Sequence, residues 1–151
     1  MAGDILRVPP LKAFGAISHV SPAPRVFTTH NGFETFSSTF VLSAWDEGES
    51  VTTLRLSPEV NARVRGPYNR RNAYGAVISY GPVLASSSQT LPMFESALRY
   101  GLCSAGGVAS DVGLGGRRFY AVDVIARGTD PNSVWPTRFE VDCESGTVEI
   151  N

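Results

Sequence analysis

The chain is almost devoid of lysine. Lys12 is the one lysine among 13 basic residues, and all the others are arginine. Guanidinium groups are planar and carry several donors, so they favour packed interfaces and anion contacts over a merely solvated face. A bias in genomic base composition would give the same count. The formal net charge of −1 provides no overall attraction to nucleic acid or to membranes.

Cysteine is also scarce, since Cys103 and Cys143 are the only two. Two cysteines exclude a framework of disulfides, and they leave open whether one bridge forms, because nothing in the pattern indicates it. Cys103 is predicted at a helix C-terminus, where the helix dipole disfavours a thiolate. Cys143 is predicted to be a buried, inert thiol. Neither cysteine is therefore a candidate nucleophile.

Histidine is equally rare. His19 and His30 lie far from both cysteines and give no familiar metal-site spacing. The chain has no Gly-x-Ser-x-Gly motif, and its glycine-rich residues 106–116 lack a phosphate-binding arrangement, which predicts a flexible connector. We therefore predict no catalytic residue, no metal site and no cofactor. Distant carboxylates could still converge in space, although for Glu140 and Asp142, on the outward face of a strand with Arg138, cross-strand charge pairing or solvent exposure is the simpler interpretation.

Long apolar runs are missing too. No stretch of roughly 18 apolar residues exists, which predicts that nothing spans a membrane. The first residues lack a basic segment followed by an apolar one, so no signal peptide is expected. These absences predict an intracellular protein or a component of an assembled particle.

The chain is predicted to be one domain preceded by an arm. Two proline clusters make residues 1–24 a proline-containing N-terminal arm or edge segment rather than a helix. Residues 25–151 are predicted to form a single β-rich domain, because that length can bury a core without staples.

Alternating apolar residues predict seven to eight strands. Asn-Gly at 31–32 suits both positions of a type I′ turn, and Glu-Ser-Gly at 144–146 predicts a second hairpin. The strand around residues 119–127 is predicted to be central because both of its faces carry apolar residues. The other strands are predicted at residues 25–30, 33–45, 51–57, 60–65, 73–80, 138–144 and 148–150.

One helix is predicted, at about residues 91–103. Its apolar residues recur at steps of three and four, with Phe94 and Leu98 as anchors. Thr90 is a candidate N-cap, and Glu95 and Arg99 are spaced to form an ion pair. The stripe is typical of a helix packed on a core.

The predicted fold is mainly β: an antiparallel β-sandwich or jelly-roll-like barrel with this one inserted helix. Hairpins dominate, and strands do not alternate with helices as they do around a parallel sheet. The alternative is an α+β open antiparallel sheet with the helix on one face.

The best candidate binding surface is an arginine group on the predicted strand 60–65 and the loop after it. Its guanidinium groups and aromatic ring could hold phosphates and stack a base, or they could meet an acidic segment such as residues 46–49 of another copy. The predicted binding residues are Arg63, Arg65, Tyr68, Arg70 and Arg71.

These observations favour a non-enzymatic structural or assembly subunit that forms protein–protein contacts in a larger shell or complex, such as a viral or phage structural protein. Self-association or partner proteins would supply the contacts, with no membrane partner. The first alternative is an RNA or single-stranded nucleic-acid-binding module that uses residues 63–71. The second is a small hydrolase or ligand-binding protein whose site the sequence hides.

Overall fold

The computed structural model describes residues 29–30, 33–34, 38–125 and 135–151. The predicted N-terminal arm, residues 1–24, and the histidine at position 19 lie outside the described residues, so the predictions about them stay predictions.

Seven antiparallel strands are found in the described part of the chain. Two short ones, β1 (Thr29–His30) and β2 (Phe33–Glu34), pair across positions 31–32, as the Asn-Gly signal predicts. The other five form one sheet of order β4-β3-β5-β6-β7. They are β3 (Thr39–Trp45), β4 (Thr52–Arg55), β5 (Phe119–Ile125), β6 (Arg138–Asp142) and β7 (Thr147–Ile150). β5 is central and β6 and β7 form a hairpin, which confirms both predictions.

Five helices accompany the sheet over the same residues. They are α1 (Pro58–Asn61), α2 (Tyr68–Ser79), α3 (Gly81–Ala85), α4 (Leu91–Cys103) and α5 (Val108–Asp111). The predicted helix at 91–103 is therefore confirmed, but the prediction of a single helix is wrong. None of these helices has both the length and the apolar character needed to cross a membrane.

The architecture fits the alternative prediction, an α+β fold with an open antiparallel sheet and helices on one face. The five-stranded sheet does not close, so the prediction of a jelly-roll-like barrel is wrong. A sandwich is not confirmed, because the described residues form one large sheet rather than two. The helices pack on the large sheet instead, and they include most of the predicted strand 73–80 and the start of the predicted strand 60–65.

The core lies between the helices and one face of the sheet. Leu42, Tyr120 and Phe139 project from neighbouring strands and are 1–2% exposed. Phe94 of α4 is fully buried and meets the Phe139 ring edge-on, with centroids 4.9 Å apart. Burying an aromatic side chain of this kind contributes about 2 kcal/mol or more, so α4 is anchored as its apolar stripe predicts.

Polar contacts fix α4 at two points. Thr90 is its N-cap residue, as predicted, but the side chain makes no capping hydrogen bond, and Oγ1 donates instead to the Leu84 carbonyl at 2.7 Å. Arg99 donates from Nη1 to the Gly146 carbonyl at 3.1 Å, in the turn between β6 and β7. The helix is therefore tied to α3 at one end and to the last hairpin further along.

Two predicted strands, 60–65 and 73–80, are helical or irregular instead. Ser57 accepts a hydrogen bond from the Val60 N–H at 3.3 Å, and Pro58 occupies the first helical position, so α1 starts there. In α2, Tyr74, Val77 and Ile78 follow helical spacing and pack against the core. The short β-like alternation was outweighed by this capping and packing.

A disulfide joins Cys103 at the end of α4 to Cys143 after β6. Cys143 is thus not a free thiol, and the prediction of an inert buried cysteine is wrong. The bridge closes a loop with a sequence separation of 40 residues and ties the helical layer to the sheet.

We expect reduction of the disulfide to lower the free energy of unfolding by about 4 kcal/mol, from the loop-entropy relation for a 40-residue closure. Urea unfolding with and without reductant measures this. The double variant Cys103→Ser/Cys143→Ser is the control, and its urea unfolding midpoint should be the same with and without reductant. An identical midpoint for the unsubstituted protein in both conditions would contradict the bridge.

Two helical glycines provide a matched pair of substitutions. A Cβ on Gly101 would lie 2.9 Å from Cε1 of Tyr74, whereas a Cβ on Gly75 would meet nothing within 4 Å. We expect Gly101→Ala to destabilise the protein by about 1–3 kcal/mol through overpacking. Gly75→Ala should stabilise it by about 0.5–1 kcal/mol through helix propensity. Chemical denaturation checks both signs, and equal effects would contradict the packing of α2 on α4.

Candidate functional site

The predicted arginine group spans the turn after α1 and the first turn of α2. Arg63 and Arg65 are exposed in that turn, so they do not lie on a strand as predicted. Tyr68 begins α2 and is 69% exposed. Arg70 and Arg71 follow on the helix and are half-buried. The five residues lie within nine positions of the sequence, but their contacts separate them into two groups.

Asp111 of α5 binds two of the four arginines. Its Oδ1 lies 2.8 Å from Nε of Arg65, and its Oδ2 lies 2.5 Å from Nη1 of Arg70. The Arg65 backbone N–H also donates to Oδ2 at 3.1 Å, and Arg70 donates to the carbonyls of Arg65 and Gly106. With its side chain 2% exposed, Asp111 is an internal anchor. Arg65 and Arg70 therefore link the turn after α1 and the first turn of α2 to α5.

The charge state of Asp111 follows from these contacts. Burial alone would raise the pKa of this carboxyl, but hydrogen bonds from Arg65 and Arg70 more than offset it and hold the pKa below 3.8. Asp111 in turn raises the pKa of Arg70. Asp111 is therefore ionised at neutral pH. Residues 106–116, which are predicted as a flexible connector, contain the helix α5 that carries Asp111.

Arg63, Tyr68 and Arg71 remain for outside contacts, and we call them the arginine corner. Within the described residues neither Arg63 nor Arg71 has an ion-pair partner, and Nε of Arg71 is buried without a hydrogen-bond partner. The corner is smaller than the predicted group of five, which reduces its capacity to follow a phosphate backbone.

A second surface lies on the side of the sheet opposite the helices, which we call the open face. Ser43 and Ala121 pair across β3 and β5 on this face and are buried, whereas larger side chains around them are partly accessible. Ile125 is 55% exposed. The accessible side chains include Val41, Trp45, Phe119, Asp123, Ile125, Arg138, Glu140, Asp142 and Glu149.

An aromatic pair lies at one end of the open face. Trp45 and Phe119 are register partners whose rings stack with centroids 5.7 Å apart and an interplanar angle of 18°. The Arg118 guanidinium lies 4.7 Å from the centroid of the Phe119 ring. A cation is thus already held on this aromatic platform.

A groove of about 220 Å³ runs beside the aromatic pair, and we call it the carboxylate groove. Glu140 of β6 and Glu149 of β7 are direct register partners in it, and opposed like charges destabilise a sheet pair. Arg138 binds Glu140 at 2.6 Å, whereas Glu149 has no ion-pair partner in the described residues. The groove is lined by Trp45, Phe119, Tyr120, Glu140, Val141, Asp142, Ser145, Thr147 and Glu149.

Charge pairing accounts for the other carboxylates of β5 and β6. Arg138 of β6 faces its register partner Asp123 at 2.8 Å. Asp142 accepts a hydrogen bond from Arg118, and this interaction is the main reason why the pKa of its carboxyl falls to about 2. The interpretation of Glu140 and Asp142 as ion-paired strand residues is therefore confirmed.

The acidic turn at 46–49 is also paired within the chain. Arg117 contacts Asp46 at 2.9 Å and Glu49 at 2.6 Å. Arg118 contacts Glu47 and Glu144, both at 2.7 Å, while those two carboxylates stay 72% and 70% exposed. The turn can still attract a cation, because its carboxylates outnumber the arginines that contact them.

No group of three or more histidine, cysteine, aspartate or glutamate residues that could hold a metal occurs in the described parts of the chain. Comparison with protein-family models, curated proteins and solved structures gives no match. The geometry of the two surfaces is therefore what supports a function.

We expect Arg70→Gln to destabilise the protein by about 2–3 kcal/mol, because it leaves the buried Asp111 carboxylate short of a charged partner. Arg63→Gln is the matched control and should change stability by less than about 0.5 kcal/mol. Urea unfolding at neutral pH measures both. Equal midpoints for the two variants would contradict the internal role of Arg70.

Proposed function

We propose that this chain is a non-enzymatic assembly subunit that forms protein–protein contacts through the open face of its sheet. One observation carries the proposal: all five helices contribute to the core on the other face, while the open face carries a stacked aromatic pair and an exposed isoleucine. Aromatic side chains are typical of the centre of protein interfaces, and charged and polar side chains are typical of their rim.

The charge pattern supports a protein partner over nucleic acid. In the carboxylate groove Glu149 has no ion-pair partner among the described residues, and Glu47 and Glu144 of the adjacent turns stay 72% and 70% exposed, which disfavours phosphates. On the helical side, Arg65 and Arg70 are committed to Asp111. The nucleic-acid alternative thus retains only the arginine corner.

The disulfide between Cys103 and Cys143 favours a particle that meets an oxidising environment over a permanently reducing cytosol. A viral or phage shell stays one version of this proposal.

We expect the protein to self-associate at micromolar concentration, with a weight-average mass above the 16.2 kDa of one chain. Ile125→Glu should weaken association about tenfold or more, because it places a charge on the open face. Met93→Glu is the matched control: Met93 is 58% exposed on α4, much like Ile125, but belongs to the helical layer. Sedimentation velocity over a concentration series measures all three proteins.

A strict monomer throughout the micromolar range would overturn the proposal. Single-stranded RNA binding, titrated with salt, would then test the alternative, and it should weaken on Arg63→Ala if the arginine corner binds phosphates. Equal weakening of association by both glutamate substitutions would overturn the assignment to the open face.

A further inference from the structure

We propose that the partner on the open face is a second copy of this chain, docked head to tail. The arginine corner of one copy inserts into the carboxylate groove of the next. The inference rests on the proposed assembly function and adds to it the identity of the partner and the two surfaces that meet.

The carboxylate groove suits a guanidinium group. Its volume of about 220 Å³ accommodates one arginine side chain, and the Trp45–Phe119 pair gives it an aromatic wall. Arg118 already lies over Phe119, so this platform accepts a guanidinium within the chain itself. A second cation beside Glu149 would relieve its opposition to Glu140.

The arginine corner supplies this guanidinium group at a low cost in conformational entropy. Arg63 and Arg71 lack ion-pair partners within the described residues, and the exposed Tyr68 ring stands between them in sequence. The contacts of Arg65 and Arg70 with Asp111 already fix the backbone that carries the corner. A segment ordered before binding costs less entropy on association.

The two surfaces belong to opposite layers, and that determines the symmetry of the contact. The arginine corner is part of the helical layer through its link to α5, whereas the carboxylate groove lies on the open face. The contact is therefore heterologous: in a docked pair, one copy keeps a free carboxylate groove and the other keeps a free arginine corner. Repetition closes a ring or extends a filament, as an assembly subunit requires.

Charge reversal at the exposed ends of the contact tests the inference. Arg63→Glu leaves the groove intact, and Glu149→Arg leaves the corner intact; both positions are exposed, so folding should be preserved and is checked by circular dichroism and thermal unfolding. We expect each variant alone to associate about tenfold or more weakly than the unsubstituted protein. An equimolar mixture should recover association, because each variant retains the surface that the other lacks.

Glu95→Arg is the control for Glu149→Arg, since it changes the net charge equally on α4, a helix that contributes no residue to the groove lining or to the arginine corner; it should associate as the unsubstituted protein does. Unchanged association of Arg63→Glu, or no recovery in the mixture, would overturn the head-to-tail contact while the unsubstituted protein still assembles. A monomeric unsubstituted protein would overturn the proposed function itself, so the two failures are distinguishable.

Discussion

The alternation of side chains along β5 is the constraint on which the rest of the structure depends. Tyr120, Val122 and Val124 face the helices and are 1–3% exposed, so the next residues along the strand must face the other way. Among the described residues, the helices cover the side of the sheet on which these three side chains lie. The opposite side of β5 carries Phe119 and the 55% exposed Ile125, and we base the proposed function on what that side carries.

The part of the fold that could be predicted from sequence is the part fixed by local signals. The Asn-Gly turn, the last hairpin and the apolar stripe of α4 each reside in a few consecutive residues. Residues 60–65 are predicted as a strand rather than a helix because Val60 and Val64 alternate over too short a distance to distinguish a strand period of two from a helical period of 3.6. The helical signals were present nevertheless: Ser57-Pro58 at the start of α1, and Tyr74, Val77 and Ile78 at steps of three and four.

The candidate site shows the same division between local and long-range information. Sequence located the arginine group and showed that both faces of the strand around residues 119–127 carry apolar residues. It could not show that Asp111 lies against Arg65 and Arg70, because those contacts join residues 41–46 positions apart. Nor could it pair Cys103 with Cys143, or set Glu140 opposite Glu149, since both depend on how the sheet and helical layer close. Ion pairs of long sequence separation thus decided which arginines stay free.

Solvent access to Trp45 tests the proposed role of the open face most directly. A Trp135→Phe variant leaves Trp45 as the single tryptophan, and acrylamide quenching of its fluorescence reports how open its ring is. We expect quenching to decrease as protein concentration rises from nanomolar to micromolar, because association covers the Trp45–Phe119 pair. Quenching that stays constant across that range, in protein that remains folded, would contradict an interface on this face.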